Sequence, residues 1–159
     1  IKMPVRKANA IWKGSLFKGS GEVEVESGLF KSPYSFNTRF GEEKGTNPEE
    51  LLGAAHSACY SMALSYMLEQ NGFMPKSIST EANVSIDKVG DGFKITKIIL
   101  VTRGEVPGID EKTFLKFAEQ AKVGCPVSQA LAATPIELDA ALVWLKRYLK
   151  SLGTRAKSL

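Results

Sequence analysis

Two cysteines and a single histidine are the entire stock of soft nucleophiles and soft metal ligands in this chain of 159 residues. Cys59 and His56 fall within "GTNPEELLGAAHSACYSMALSYM", residues 45–67, and Cys125 opens "CPVSQAL". Three chemistries are open to such a set. The plainest is none, because free cysteine packs as a small hydrophobe and is among the most buried residue types. A second is metal binding: His56 and Cys59 stand three apart, near one face of a helix, and Cys125 would be a third ligand. A tetrahedral site would still need a carboxylate or a partner chain to complete it. The third is redox chemistry, in which a thiolate attacks an O–O bond. That needs a lowered thiol pKa, a cationic or hydrogen-bonding neighbour, an apolar pocket and a second thiol to trap the sulfenic acid. Local sequence alone nominates Cys125 as the more acidic thiol, since Cys125-Pro126 reads as a helix start and the positive end of the helix dipole favours a thiolate.

These residues must be held by elements that the pattern also specifies. "KANAIWKG" and "EVEVE" read as strands, the second with Val23 and Val25 alternating with glutamates at the two-residue period. A third strand is expected after "SPY", placing Tyr34, Phe36, Thr38 and Phe40 on one face and Arg39 on the other, away from its aromatic neighbours. The strongest helix start follows: Asn47 suits the N-cap, Pro48 the first position, and Glu50 the third residue of a capping box. This helix should end near residue 70, before Gly72. Leu51, Leu52, Ala55, Met62 and Leu64 surround it almost completely, so it belongs in the middle of the structure or in a subunit interface.

"SISTEANVSID" and "FKITKIILVTRGEV" read as a hairpin joined at "KVGDG". Asp110 caps a helix to about Val123, a short helix starts at Pro126 after Cys125, and "PIELDAALV" returns as a last strand. Strands, a long helix, a hairpin, two helices and a strand make an α+β pattern. The organisation expected is one domain over 1–142, followed by a basic tail over 143–159 that is either a terminal helix or foreign to the domain.

Composition excludes several classes. The net charge of +4 is concentrated in the tail, and without its five basic residues the 21 fall to 16 against 17 acidic ones. With no basic stripe interleaved with aromatics, nucleic acid is not an expected partner. No apolar run is long enough to cross a bilayer, and the first residues lack a signal-peptide pattern. Two cysteines are too few for a disulfide scaffold. A cytoplasmic protein with reduced thiols is the expectation, with no membrane partner.

The runs "PYSFNTRFGEEKGTNPEELLGAAHSACYSMALS", "DKVGDGFKITKI", "VPGID" and "AKVGCPVSQAL" carry a further signal. In order and spacing, from about residue 5 to residue 140, the chain resembles the OsmC/Ohr family of thiol-dependent hydroperoxide reductases, nearest its osmotically inducible branch. The resemblance implies an OsmC-like α+β fold, with antiparallel sheets around a long buried central helix, in an intertwined homodimer. It implies that Cys59 is the peroxidatic cysteine and Cys125 the resolving one, the reverse of the local reading. It also implies that Arg39, on the strand before the helix, stabilises the thiolate and that Glu49 orients Arg39. An organic hydroperoxide, and also hydrogen peroxide, would be reduced in oxidative or osmotic stress defence, through a Cys59–Cys125 disulfide. No metal or cofactor is implied beyond an external dithiol, with dihydrolipoamide on a lipoyl-bearing protein as the reductant of the branch.

Ten residues of helix place Glu49 about 15 Å from Cys59 at 1.5 Å per residue, too far for one arginine to serve both. The site is therefore expected to be completed across a symmetric dimer. Two rivals remain: a non-catalytic ligand-binding or interaction protein on the same fold, and a zinc module using His56, Cys59 and Cys125.

Overall fold

The structure is a computed structural model that describes residues 3–143. The tail expected beyond this range lies outside the described residues. The chain divides into two compact units, one up to Leu51 and one from Leu52 onward, and each is described by itself.

In the first unit, strands β1 (Ala8–Lys13), β2 (Ser20–Val25) and β3 (Lys31–Ser35) form an antiparallel sheet in that order. The strands close on Gly21, where an added Cβ would lie 2.5 Å from the Ile11 carbonyl and the Tyr34 ring. The third strand stops earlier than its alternating aromatics predict. Residues Phe36–Phe40 form a short helix, α1, because Ser35 and Thr38 make a reciprocal capping box. The Thr38 N–H donates to Ser35 Oγ at 3.1 Å and the Ser35 N–H to Thr38 Oγ1 at 2.9 Å, so a turn of helix outcompetes extension of the strand. The loop that follows folds back onto α1: Thr38 Oγ1 donates to the Thr46 carbonyl at 2.8 Å, and Asn47 Nδ2 donates to the Thr38 carbonyl at 3.2 Å.

Helix α2 (Pro48–Gln70) begins where its cap predicts, with the Glu50 N–H donating to Asn47 Oδ1 at 2.9 Å. The second half of the expected capping box is absent, since the Glu50 carboxylate instead accepts from Thr46 Oγ1. Gly72 ends the helix with a positive φ of 82°, in the left-handed region that glycine enters without a Cβ penalty.

The second unit holds the remainder of α2. Strands β4 (Ser77–Val89) and β5 (Gly92–Glu105) form the expected long hairpin. Helix α3 (Glu111–Gly124) is capped by Asp110, whose carboxylate accepts from the Thr113 N–H at 2.9 Å. Helix α4 (Pro126–Ala130) follows, and strand β6 (Ile136–Leu142) completes a sheet ordered β4-β5-β6. β6 runs parallel to β5, which corrects the expectation of antiparallel sheets throughout. Two helices separate β5 from β6, and a crossover of that kind returns a strand in parallel.

Within this unit α2 buries one stripe, His56, Tyr60, Leu64 and Leu68, at steps of four. The Tyr60 hydroxyl donates to the Ala118 carbonyl at 3.1 Å, tying α3 to α2 inside a core that includes Leu100, Phe114 and Ala121. The opposite stripe of α2, which carries Ala58, Met62 and Tyr66, is exposed in the single chain, with Met62 at 74%. The all-round apolar composition is thus divided between a buried face and a bare one.

Candidate active site

Cys125 owes its position to a junction. It is at once the C-cap of α3, where its N–H donates to the Ala121 carbonyl at 2.8 Å, and the N-cap of α4, with Pro126 in the first helical turn. Its backbone is extended, as a residue between two helices must be, and its side chain is fully buried. Cys59, in the middle of α2, is half-buried and packs against the same core. Both cysteines are free thiols.

The two thiols meet. Burial pushes the Cys59 thiol up from its ordinary value, a hydrogen bond from the Val127 N–H pulls it down, and the adjacent Cys125 thiol raises it again. The net direction is upward. The Cys125 side chain makes no cap hydrogen bond to α4, and the N–H of Val127 in the first turn of α4 is spent on Cys59.

One turn away along α2, His56 is fully buried and its Nε2 lies 2.8 Å from Ser128 Oγ on α4. Burial lowers the pKa of His56 and so favours the neutral ring. Its Nδ1 is buried and finds no hydrogen-bond partner among the described residues. Among the described residues no group of three or more His, Cys, Asp or Glu side chains converges where a metal ion could be held.

Arg39 and Glu49 belong to the first unit. Arg39 sits at the end of α1 and not on a strand, because the capping box has turned the chain into a helix. Its Nη2 donates to Glu49 Oε1 at 2.7 Å and its Nε to Glu49 Oε2 at 3.0 Å, a fork-on-carboxylate contact that fixes the guanidinium plane. The carboxylate side chain is only 9% exposed, against 35% for the arginine, so the arginine side chain remains partly accessible. The expectation that Arg39 points away from aromatic neighbours is also corrected, since its guanidinium carbon lies 5.3 Å from the centre of the Phe40 ring. Phe40 packs on Phe36 with the ring planes tilted by 41°, and Phe36 meets Phe17 edge-on. Trp12, Leu16, Tyr34, Phe36, Phe40 and Arg39 line a cleft of about 270 Å³, largely apolar with one cation in its wall.

The profile of the OsmC-like protein family matches residues 41–139, a span that contains Glu49 and both cysteines. The chain belongs to the OsmC family. It is 58% identical over 135 residues to the peroxiredoxin OsmC of Escherichia coli, an alignment covering 84% of this chain and 94% of that protein. It is 31% identical over 140 residues to the organic hydroperoxide resistance protein-like 2 of Staphylococcus epidermidis, covering 83% and 96% of the two chains. In fold it resembles the organic hydroperoxide resistance protein OhrB of Bacillus subtilis, with a TM-score of 0.68 at 24% identity over 85% of this chain and 98% of that one.

Within this OsmC-family chain, sequence reasoning missed the Val127 N–H and Ser128. The first is a backbone group with no side-chain signature. The second stands three residues after Cys125, as His56 stands three before Cys59, and that mirrored spacing was the available clue.

Proposed function

We propose that this OsmC-family chain reduces organic hydroperoxides by attack of Cys59, that Cys125 resolves the product, and that Arg39 and Glu49 from a second copy complete each site. Family membership and the identity to a named peroxiredoxin over nearly that protein's whole length make the chain a peroxidase. The assignment of roles rests mainly on one observation: the two thiols adjoin, yet only Cys59 is accessible. An attacking thiol must meet the peroxide, whereas a resolving thiol need only meet the first.

In this reading the Cys59 thiolate attacks the distal oxygen of the hydroperoxide and the O–O bond breaks. The alcohol departs with a proton, leaving a sulfenic acid on Cys59. Cys125 then displaces water to form the Cys59–Cys125 disulfide, which an external dithiol such as dihydrolipoamide opens by exchange. The Val127 N–H favours the thiolate, while burial opposes it more strongly, and among the described residues no cation is one of the groups that act on Cys59. Arg39, partly accessible and held by Glu49, supplies the positive charge, and the aromatic cleft around it suits the organic part of the peroxide. The bare apolar stripe of α2 supports pairing of two copies, which would bring Arg39 of one to Cys59 of the other.

Turnover of cumene hydroperoxide and of hydrogen peroxide, with dihydrolipoamide against a small monothiol as reductant, tests the reading. Dithiol-dependent consumption that disappears in Cys59→Ser supports it. Undiminished turnover in Cys59→Ser overturns it. Sedimentation tests the pairing separately: a fully active monomer at micromolar concentration removes the shared site.

A further inference from the structure

We infer that the His56–Ser128 contact is a positioning clamp, which holds α4 on α2 at the register where Cys125 faces Cys59 and so sets the rate of disulfide formation. This inference rests on the thiol-peroxidase reading above. Two rungs join the helices: Cys59 meets Cys125 and the Val127 N–H, and His56 meets Ser128 at 2.8 Å. His56 precedes Cys59 by three residues and Ser128 follows Cys125 by three, so the rungs lie one turn apart on helices of opposite direction.

Helix α4 has only five residues and cannot hold itself in place. Val127 and Leu131 pack it against the core as partly buried side chains. The polar contact fixes its rotation. A site that needed only bulk would be better filled by an apolar residue, because burying ring nitrogens costs free energy unless they are hydrogen-bonded, as Nε2 is to Ser128. Burial favours the neutral ring, so the contact with the Ser128 hydroxyl is a hydrogen bond between two uncharged groups.

The step affected is the second one. Cys125 Sγ attacks Cys59 Sγ, the S–O bond of the sulfenic acid breaks, and the hydroxide leaves with the Cys125 proton as water. Cys125 is oxidised, and the sulfenic sulfur is reduced to the disulfide level. The reaction is intramolecular and depends steeply on alignment, since a misplacement of about 1 Å costs up to about 100-fold. A slow second step leaves the sulfenic acid open to further oxidation.

The test compares wild type, Ser128→Ala, Ser128→Thr and His56→Gln in single turnovers with one equivalent of cumene hydroperoxide, quenched with dimedone and read by mass spectrometry. In Ser128→Ala, disulfide formation should slow by between about 10-fold and 100-fold, with dimedone adducts and sulfinic acid accumulating on Cys59, while loss of the Cys59 thiol, which feels α4 only through the Val127 N–H, slows much less. Ser128→Thr, which retains the hydroxyl, should restore resolution. His56→Gln keeps a polar group in the pocket and provides the second route if Ser128→Ala does not fold; it should slow resolution much more than loss of the Cys59 thiol. Wild-type resolution in either disrupted variant, or equal slowing of both steps, overturns the inference. Absence of any Cys59 adduct or disulfide in the wild-type protein instead overturns the peroxidase reading beneath it.

Discussion

Replacing Arg39 by glutamine tests the electrostatics of the proposed site, and the size of the effect follows from the surroundings of Cys59. A thiol with an ordinary pKa of 9.0 is about 1% ionised at pH 7, and burial pushes Cys59 higher still. Half-ionisation at neutral pH then requires at least about 2.7 kcal/mol of preferential stabilisation of the thiolate, at 1.36 kcal/mol per tenfold. One guanidinium at contact supplies about 4 kcal/mol at an effective dielectric constant of 20, so a single arginine is sufficient and its loss leaves nothing in reserve. The thiolate fraction should fall by about two decades in Arg39→Gln. The more basic thiolate is the better nucleophile, with a Brønsted slope of about 0.4–0.5, so the peroxide rate at pH 7 should fall by about one decade and recover as pH rises. Ultraviolet thiolate absorbance followed against pH, with Cys125→Ser in both proteins so that one cysteine titrates, measures the effect directly. Cys59 should titrate at a lower pH with Arg39 present than without it, where burial alone holds the thiol above its ordinary value. The reasoning fails if the two titrations coincide.

Glu49→Gln removes the carboxylate from a charge-assisted contact with Arg39 Nε and Nη2. Discounted for an arginine side chain that is 35% exposed, the stability lost should be about 1–2 kcal/mol in urea unfolding, and Cys59 should shift in the same direction as in Arg39→Gln. Gly104→Ala would bring a Cβ to 2.6 Å from Cε2 of the buried Phe114 ring. Thermal unfolding should show a loss of about 1–3 kcal/mol, and Phe114→Leu should relieve it non-additively; simple addition contradicts the clash. His56 has its pKa lowered by burial, so below 6.5 the unfolded chain takes up a proton before the folded one. Its contribution to stability is complete above about pH 6.5 and is lost as pH falls, by up to about 1.4 kcal/mol per pH unit. His56 is the only histidine, so His56→Gln should remove that slope, and an unchanged slope contradicts the assignment.

Helix starts were the most legible part of the fold, because caps are short-range chemistry. Asn47-Pro48, Asp110 and Cys125-Pro126 each mark an observed start. The hairpin at Gly90 was legible for the same reason, as a turn between two β-rich runs. Residues Phe36–Phe40 were misread because alternating aromatics imitate a strand, and the Ser35-x-x-Thr38 box that decides the conformation was overlooked. The error moved Arg39 from a strand face to a helix end, beside Phe40. At the candidate site, both cysteines were legible as thiols in helical contexts, and "NPE" marked Glu49. Their surroundings were not. The Val127 N–H on Cys59 and the His56–Ser128 contact join α2 to α4 across some seventy residues, a separation that no local pattern encodes. His56 could not be assigned a role until its partner was visible.

The central claim is that Cys59 and Cys125 form one redox pair within a chain. Treating the reduced protein with one equivalent of cumene hydroperoxide, then mapping the peptides without reduction, tests it most directly. The prediction is an intrachain Cys59–Cys125 disulfide formed as the peroxide is consumed and reopened by dihydrolipoamide. Two unchanged thiols beside unconsumed peroxide, or a Cys59 oxidised to sulfinic acid with Cys125 untouched at one equivalent, would contradict it.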